Sequence, residues 1–452
     1  MKVNGLLLFV HRARVSAIPF NQVWPGYQRP LEQTEIAYFA HWDMAAPVQI
    51  EITCRDIADM VRIRPTALGI IPQVQGRVIS FRLERPCQLT VEFNGTHQAL
   101  HLFANPPLES IPSRDEPNIL FFGPGVHCPG IIRLASNQTV YIDGEAVVYG
   151  AIEGKNVENI RILGRGILDG SKFSRGDFSG IISLRGCNNV HIDGIILRDP
   201  CAWTITPSYC QNVHIRNVKL IGLWRYNADG IDFCNCQHCS LTDSFLRTFD
   251  DGVVFKGFPH RSGNGFPLLP VQDILVQRCV FWCDWGRAIE FGAETVTPEI
   301  ADIRCEDCDI IHTMHIALDI QNGDRAHVHD VLFSNIRIEL DDDFTQPIMQ
   351  KGVDDTYNPP AGQRYTPLLV VLEIRKNYYS KDSERGRIEH VQFRDIVVTS
   401  WQLPASHLRG HDAQHSVQNI TFENLVINGQ RFNDLQAAGI TRNEFVKEVD
   451  IR

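Results

Sequence analysis

Four of the aspartates in residues 227–257 stand out, because this stretch, NADGIDFCNCQHCSLTDSFLRTFDDGVVFKG, is rich in Ile, Phe, Leu, Val and Cys. They are Asp229, Asp232, Asp250 and Asp251, and the last two are adjacent. Burying a carboxylate without a partner is costly, so their concentration among Ile, Phe, Val and Cys needs a reason. Three reasons are open: the carboxylates bind a metal, they act on a substrate, or they cap turns.

The spacing of Asp229, Asp250 and Asp251 favours catalysis. Asp229 and Asp250 are 21 residues apart, close to one short coil of a solenoid, in which neighbouring coils lie about 4.8 Å apart. Carboxyl groups that converge in this way perturb one another's pKa, so that one can stay protonated near neutral pH. Glycoside hydrolysis needs such a carboxylic acid beside a carboxylate. Calcium binding is the competing use, and Asp232 fits a turn around Gly230.

The elements that must position these aspartates repeat along the chain from about residue 130. The segments include NIRILGRGIL, NVHIDGIILRD, NVHIRNVKLIG, DILVQRCVFW and NITFENLVING. Each places a polar residue before two spaced apolar residues, then a turn and a second apolar run. Most steps between equivalent positions are 23 to 35 residues. Short strands at this period, with almost no helical periodicity, predict a parallel β-solenoid.

The thirteen cysteines fit the same repeat. Cys239, Cys279 and Cys305 recur at similar positions, so we expect reduced thiols stacked in the core. The segment CNCQHC at 234–239 resembles a zinc cluster only superficially, because its spacing matches no standard pair of ligand pairs.

The first third of the chain has a different rhythm. The alternating segments VQIEITC, RVISFRLE, QLTVEFNG and ALHLFAN are separated by turn residues and predict an antiparallel β-sandwich. A Pro-containing polar linker follows, so we expect a sandwich domain at 1–115 and a solenoid domain at 116–452. We interpret residues 1–17 as a first β-strand. The sandwich is expected to cap the first coil, because an open end exposes strand edges; glycan binding is its alternative role.

Two motifs resemble family 28 of the glycoside hydrolases, the polygalacturonases. Residues 227–232, NADGID, look like the family's NxDGxD motif, and residues 250–257, DDGVVFKG, look like its DD element with a downstream Lys. Family 49, which contains dextranase and isopullulanase, has a similar aspartate trio and pairs its β-helix with an N-terminal β-sandwich. The resemblance implies an all-β chain with a right-handed parallel β-helix and hydrolysis with inversion. By motif position it implies Asp250 as general acid, with Asp229 and Asp251 holding and activating the water.

The chain departs from family 28 at two motifs. Where the family has GHG, residues 286–288 read GRA, so Arg287 replaces the histidine. The family's basic RIK motif falls on Ala317, Leu318 and Asp319, which places an acid where a base grips galacturonate. Such a site would repel a uronate. We therefore expect a neutral sugar as substrate.

The substrate-binding candidates are Lys256, Arg287, Asp319, Trp285 and Glu290. Lys256 either binds substrate hydroxyls or pairs with an aspartate. Arg287 either positions the substrate or forms an ion pair. The family resemblance treats Glu294 as structural.

Other candidates lie near the motifs. Trp203, Trp224 and Trp285 fall near the ends of repeats, where tryptophan either stacks on sugar or packs. The acidic, Pro-containing insertion at 340–365 is either a cleft wall or a solvated loop.

Bulk properties bound the function. The 452 residues are 44% hydrophobic and 21% charged, which is typical of a globular protein. A net charge of -10 argues against nucleic acid as a partner. No apolar run is long enough to span a bilayer, and the run at 5–10 is short for an export signal. We therefore expect a cytoplasmic location, no membrane partner and no cofactor; the oligomeric state stays open.

The sequence thus predicts an inverting glycoside hydrolase that acts on a carbohydrate without a metal. Two alternatives remain. One is a lyase on the same β-helix, which needs calcium and an Arg or Lys base. The other is a non-catalytic carbohydrate-binding β-helix.

Overall fold

The computed structural model describes residues 1–17, 31–259, 268–340 and 366–452. These residues form forty β-strands and two short 3-10 helices, Leu31–Gln33 and Thr66–Leu68, and contain no α-helix. Consequently, no helix among the described residues is long and apolar enough to cross a membrane. Of the insertion at 340–365, residues 341–365 lie outside the described residues.

The first ten strands build the sandwich. They are β1 Lys2–Val3, β2 Leu6–Leu7, β3 His11–Ser16, β4 Thr34–Asp43, β5 Val48–Thr53, β6 Val61–Arg64, β7 Gln73–Gln75, β8 Val78–Leu83, β9 Cys87–Phe93 and β10 Leu100–Asn105. One sheet has the order β2-β1-β5-β8-β7 and the other β3-β4-β10-β9-β6. The predicted antiparallel sandwich is present, but β4 and β10 pair in parallel. The N-terminal segment forms β1 to β3, three short strands instead of one.

The remaining thirty strands form one continuous sheet that winds into a β-helix. They are β11 Ile119–Phe122, β12 Gly125–Arg133, β13 Thr139–Ile142, β14 Ala146–Lys155, β15 Glu158–Gly164, β16 Ile167–Asp169, β17 Gly180–Arg185, β18 Asn188–Asp193, β19 Ile196–Arg198, β20 Trp203–Ser208, β21 Gln211–Arg216, β22 Lys219–Ile221, β23 Ile231–Cys234, β24 Gln237–Thr242, β25 Phe245–Thr248, β26 Val253–Gly257, β27 Val271–Gln277, β28 Val280–Cys283, β29 Arg287–Thr295, β30 Glu299–Glu306, β31 Asp309–Thr313, β32 Ile316–Asn322, β33 His327–Leu340, β34 Leu368–Ile374, β35 Arg387–Ser400, β36 Ser406–Arg409, β37 Val417–Ile427, β38 Gln430–Phe432, β39 Ile440–Arg442 and β40 Val446–Ile451.

The coils of the β-helix present three faces, each a stack of parallel strands. Face 1 stacks β15, β18, β21, β24, β27 and β30. Face 2 stacks β16, β19, β22, β25, β28 and β31. Face 3 stacks β17, β20, β23, β26, β29 and β32. The fold class predicted from the repeat, an all-β chain with a parallel β-helix after a sandwich, is confirmed.

Left-handed turns let the chain change direction on each coil. Asn159, Asn189 and Asn212 have φ of 57°, 55° and 54°, which asparagine tolerates better than most residues. The side-chain amide of Asn189 donates to Asn159, and that of Asn159 donates to Asn137, at 2.7 and 2.9 Å. These asparagines are the polar residues that recur at the start of the repeated segments.

The cysteines lie where the repeat predicts, with one difference. All thirteen lie within the described residues and are free, and eleven of them are buried. Cys239 pairs with Ile274, whereas Cys305 pairs with Val276 two positions further along β27. The expectation that Cys239, Cys279 and Cys305 occupy similar positions is therefore wrong. Cys279 lies in the connection between β27 and β28, whereas Cys239 and Cys305 lie on face 1. Both still point into the core because they are an even number of residues apart in register.

The sandwich packs along the side of the β-helix instead of capping its first coil. Phe39 and Phe103 of the sandwich share a buried cluster with Ile196, Phe245 and Trp282 of face 2. The last sandwich strand ends at Asn105 and the first β-helix strand begins at Ile119, so the predicted boundary at 115 falls in their connection. The capping expectation is wrong, because the sandwich buries Phe39 and Phe103 against the outer side of face 2.

Candidate active site

Side chains alternate between the two sides of each strand, and this alternation determines which motif residues point away from the core. Along β23 and β26, Ile231, Phe233, Val253 and Phe255 belong to the buried core, so the residues between them point outward. Asp232 is one of these outward residues, and it pairs with Val254 on the next coil.

The same outward row continues on later coils. Val254 pairs with Glu290 of β29, and Glu290 pairs with Asp319 of β32. Three acidic residues far apart in sequence therefore lie along one line on the outer side of face 3.

The predicted trio lies at the corner where the chain enters face 3. The amide of Gly230 donates to the carbonyl of Asp251 at 2.8 Å, and the amide of Gly252 donates to that of Arg287 at 2.7 Å. These bonds place Asp229, Asp251 and Arg287 side by side on successive coils. The trio is brought together as predicted, but Asp251, not Asp250, is the direct neighbour of Asp229, because the coil is 22 residues long here.

The two glycines of the motifs are needed for this close stacking. A Cβ added at Gly230 would lie 2.2 Å from the carbonyl oxygen of Gly252, and one added at Gly252 would lie 2.4 Å from that of Ala288. Any side chain at either position would push the coils apart. The glycines that follow Asp229 and Asp251 therefore let neighbouring coils bring these carboxyl groups together.

Lys256 is the cation at one end of the cluster. Its ammonium group lies 3.3 Å from Asp232, 3.5 Å from Asp229 and 3.9 Å from Glu294. It also lies 4.5 Å from the ring centre of Trp203. Burial alone would lower the pKa of Lys256, but Asp232 and Asp229 raise it well above its usual value. Of the two roles predicted for Lys256, pairing with aspartate is the one that the structure shows.

Arg287 is the cation at the other end. Its guanidinium group lies 3.3 Å from Asp319, 3.7 Å from Asp251 and 3.9 Å from Glu290. Its backbone amide also donates to Asp251 at 2.8 Å. The two departures from family 28 thus compensate each other, because the arginine at 287 pairs with the acid at 319.

The adjacent carboxyl groups of Asp250 and Asp251 have opposite pKa shifts. Burial and the charge of Asp251 raise the pKa of Asp250 to about 8. Burial also acts to raise the pKa of Asp251, but a hydrogen bond from Glu290 and the charge of Arg287 outweigh it and lower that pKa. Burial and the charge of Asp251 in turn raise the pKa of Glu290 well above its usual value. Near neutral pH the pair therefore holds one proton donor and one carboxylate.

Three other carboxyl groups, those of Asp232, Asp319 and Asp229, also have raised pKa values. Burial raises the pKa of Asp232 to about 6 and that of Asp319 to about 6. Burial, Asp232 and Asp250 raise the pKa of Asp229 well above 3.8. One oxygen of Asp229 and one of Asp319 have no hydrogen-bond partner among the described residues, so both can bind an incoming water or hydroxyl.

The aromatic candidates divide into two groups. Trp224 is 3% exposed and its indole donates to Asp199 at 2.9 Å, so it packs and cannot stack on a sugar. Trp285 stacks on Phe249 with ring centroids 5.4 Å apart and stays partly exposed. Trp203 is also partly exposed, and both remain candidates for sugar contact.

Tyr379 is a neighbour of the site that no sequence signal indicated. Burial and the charge of Asp250 raise its pKa, which places its hydroxyl within electrostatic range of the trio. Its loop is anchored by the buried Asp324, which accepts hydrogen bonds from the amides of Lys381 at 2.6 Å and Asp382 at 3.0 Å. Tyr379 lies 128 residues after Asp251, and only the stacking of the coils brings it to the site.

Comparisons with known proteins bear on the family and on the fold of the chain. The model for glycosyl hydrolases family 28 matches residues 125–366, more than half of the chain. An exopolygalacturonase of Arabidopsis thaliana is 25% identical over 209 residues, 44% of this chain and 45% of that relative. The match thus spans less than half the length of that curated relative.

Two solved structures resemble the whole fold. Dex49A from Penicillium minioluteum has a TM-score of 0.65 at 15% identity, over 92% of this chain and 83% of its own. The family 28 exopolygalacturonase of Yersinia enterocolitica has a TM-score of 0.50 at 15% identity, over 82% of this chain and 85% of its own. At this identity the likeness establishes the fold.

Proposed function

We propose, since this chain belongs to family 28 of the glycosyl hydrolases, that it hydrolyses glycosidic bonds of a neutral glycan with inversion. Asp250 is the general acid, Asp251 is the general base and Asp229 holds the water. No metal or cofactor takes part in this reaction.

The opposite pKa shifts of Asp250 and Asp251 carry the proposal. A carboxyl group with a pKa of about 8 holds its proton at neutral pH and can give it to the glycosidic oxygen as the bond to the anomeric carbon breaks. Asp251, whose pKa is lowered, takes a proton from the water that attacks that carbon from the opposite side. Two carboxyl groups with separated pKa values are the usual means of assigning acid and base to such a pair.

The charge balance of the site supports a neutral substrate. Seven carboxyl groups surround the two cations: Asp229, Asp232, Asp250, Asp251, Glu290, Glu294 and Asp319. Lys256 and Arg287 are each within 4 Å of three of them. His315 adds no positive charge, because burial and Arg287 lower its pKa to about 3. A uronate would meet carboxylates whose counter-ions are already engaged.

The same contacts argue against the lyase alternative. A lyase needs a neutral Lys or Arg to remove a proton beside the uronate, but the surrounding acids raise the pKa values of Lys256 and Arg287. Calcium between Asp229 and Asp232 would compete with the ammonium group of Lys256, which lies within 3.5 Å of both. A binding protein without activity would gain nothing from holding Asp250 protonated beside an ionised Asp251.

A reducing-end assay on neutral α-glucans, galactans and polygalacturonate tests the proposal. Asp250→Asn is expected to lower the rate on a neutral glycan by about 10²–10⁴-fold, the usual contribution of a general acid. Asp302→Asn is the matched control, because Asp302 is exposed and its φ of 54° suits asparagine. Proton NMR of the first product shows whether the anomer is inverted.

Three results would contradict the proposal. Release from polygalacturonate alone would mean that the neutral substrate is wrong. Loss of activity in EDTA would mean that a metal takes part. An ultraviolet-absorbing unsaturated product would identify a lyase.

A further inference from the structure

A groove of about 120 Å³ lies on face 3, beside the trio on the side of the earlier coils. Its lining includes Ser183, Trp203, Thr206, Tyr209 and Phe258. Trp203 joins the groove to the catalytic cluster, because its ring centre lies 4.5 Å from the ammonium group of Lys256. A glycan chain lying along face 3 at the trio would therefore pass over this groove.

The floor of the groove is made of hydroxyl groups. Ser183 pairs with Thr206 on the next coil, and the pairing of Ile205 with Ile231 places Thr206 next to Asp232. Thr206 is 4% exposed, and its hydroxyl has no hydrogen-bond partner among the described residues. A buried hydroxyl without a partner destabilises the folded protein, so its presence points to a partner that binds in the groove.

The wall of the groove is aromatic and fixed in place. The rings of Trp203 and Phe258 have centroids 6.1 Å apart. The backbone amide of Phe258 donates to the side chain of Asn235 at 2.9 Å, and its carbonyl accepts the hydroxyl of Tyr209 at 2.5 Å. A rigid aromatic wall above a hydroxyl floor matches a sugar ring, which has an apolar C–H face and a polar edge.

We propose that this groove is a subsite for a neutral sugar unit of the substrate, on the earlier-coil side of the bond that is cleaved. The hydroxyl of Thr206 bonds to a sugar hydroxyl, and the ring packs against Trp203. This subsite rests on the proposed function of the trio next to it. Among the described residues that line the groove, Arg185 is the one charged side chain, so an acidic sugar is the competing occupant.

Thr206→Val is the decisive variant, because it removes the hydroxyl and keeps the shape. A purely structural hydroxyl without a partner can be replaced by a methyl group with no loss of stability. We therefore expect the free energy of unfolding to stay equal or rise. Affinity for a neutral hexasaccharide is expected to fall about tenfold, as for one lost hydrogen bond of the stronger kind.

The measurement is titration calorimetry with α-gluco- and galacto-hexasaccharides and with hexagalacturonate, in the Asp250→Asn background. Thr242→Val is the control, because Thr242 lies on face 1 and pairs with Arg216 and Gln277, away from the groove. Trp203→Leu is a second variant and is also expected to weaken binding. Its effect on Lys256 makes it the less specific of the two.

The outcomes separate the subsite from the reaction. Unchanged affinity in Thr206→Val, or absence of binding by every neutral hexasaccharide, would overturn the subsite. Tighter binding of hexagalacturonate than of the neutral probes would overturn its neutral character. Hydrolysis that persists in Asp250→Asn would overturn the catalytic assignment alone, because the calorimetry does not depend on turnover.

Discussion

Faces 2 and 3 of the β-helix both bury charged side chains, but they compensate the charge differently. Where the sandwich contacts face 2, Arg64 of β6 is fully buried and pairs with Glu92 of β9 at 2.8 Å and with Glu339. Glu92 also pairs with His312 of face 2. Burial would raise the pKa of Glu92, but His312 and Arg64 lower it to about 2.

On face 3 the shift has the opposite sign. Asp250 is as inaccessible as Glu92, yet its pKa is raised to about 8 because its nearest charge is another carboxylate. Burial is common to both faces, so burial alone does not make a site. Face 3 differs because its carboxyl groups outnumber its cations. This excess destabilises the folded protein, and it favours the protonated form of Asp250.

Asp251→Asn should have the largest effect on activity, with little effect on stability. It removes the proposed base but keeps an oxygen to accept the amide of Arg287, so the rate is expected to fall about 10²–10⁴-fold. Activity on the neutral glycan and urea unfolding measure the two effects. A fall in the free energy of unfolding large enough to account for the lost activity would remove the distinction between the faces.

Arg64→Met, at the contact of the sandwich with face 2, should have the reverse effect, a large loss of stability with no loss of activity. It leaves Glu92 and Glu339 buried without their cation, which typically costs about 3–5 kcal/mol of the free energy of unfolding. Activity per folded molecule is expected to stay the same. Arg82→Met is the control, because Arg82 pairs with Glu84 on the exposed surface, where a pair contributes about 0–1 kcal/mol. Equal destabilisation by both variants would contradict the role of the buried pair.

The two faces should respond to pH in opposite directions. The pKa of Asp250 is about 8 when folded and about 3.9 when unfolded, so the folded state holds the extra proton and stability falls as pH rises between these values. The pKa of Glu92 is about 2 when folded, so its contribution is present above about pH 4.3 and is lost as pH falls towards 2. The fall in stability as pH rises should become smaller in Asp250→Asn, where the raised pKa values of Asp232 and Asp319 still contribute to it. The fall in stability as pH drops towards 2 should become smaller in Glu92→Gln. Urea unfolding across pH measures both changes. An unchanged profile in either variant would contradict the corresponding shift.

Tyr379→Phe should have the smallest effect. Burial and the charge of Asp250 raise the pKa of Tyr379, so its hydroxyl keeps its proton and can donate to a substrate; losing one such donor costs about 0.5–1.5 kcal/mol. We expect kcat/KM on the neutral glycan to fall about two- to tenfold. Tyr378→Phe is the control, because Tyr378 is 90% exposed. An equal effect of both variants would show that Tyr379 has no special place at the site.

The sequence predicted most of the architecture. Its repeat required short parallel strands, since inward apolar residues must stack from coil to coil. The NADGID and DDGVVFKG motifs also located the trio. In each motif an aspartate precedes a glycine, and the close stacking of neighbouring coils requires that glycine.

Variable coil length limited what the repeat could predict. One coil, from Asp229 to its neighbour Asp251, contains 22 residues. The coils from β30 to β33 and from β33 to β35 are longer and differ widely from each other in length. Exact register therefore could not be read from the repeat. The neighbour of Asp229 and the alignment of Cys305 were missed for this reason.

The sequence by itself determined the β-helix and the positions of the aspartate motifs in it, because both follow from residues close together in the chain. Only the tertiary structure decided that Arg287 pairs with Asp319, that the charge of Asp250 acts on Tyr379 and that the sandwich lies against face 2. These contacts join residues on separate coils or domains, and their geometry depends on packing that local pattern does not encode. The pKa values of Asp250 and Asp251 diverge for the same reason: burial and neighbouring charges set them, and both arise only when the coils stack.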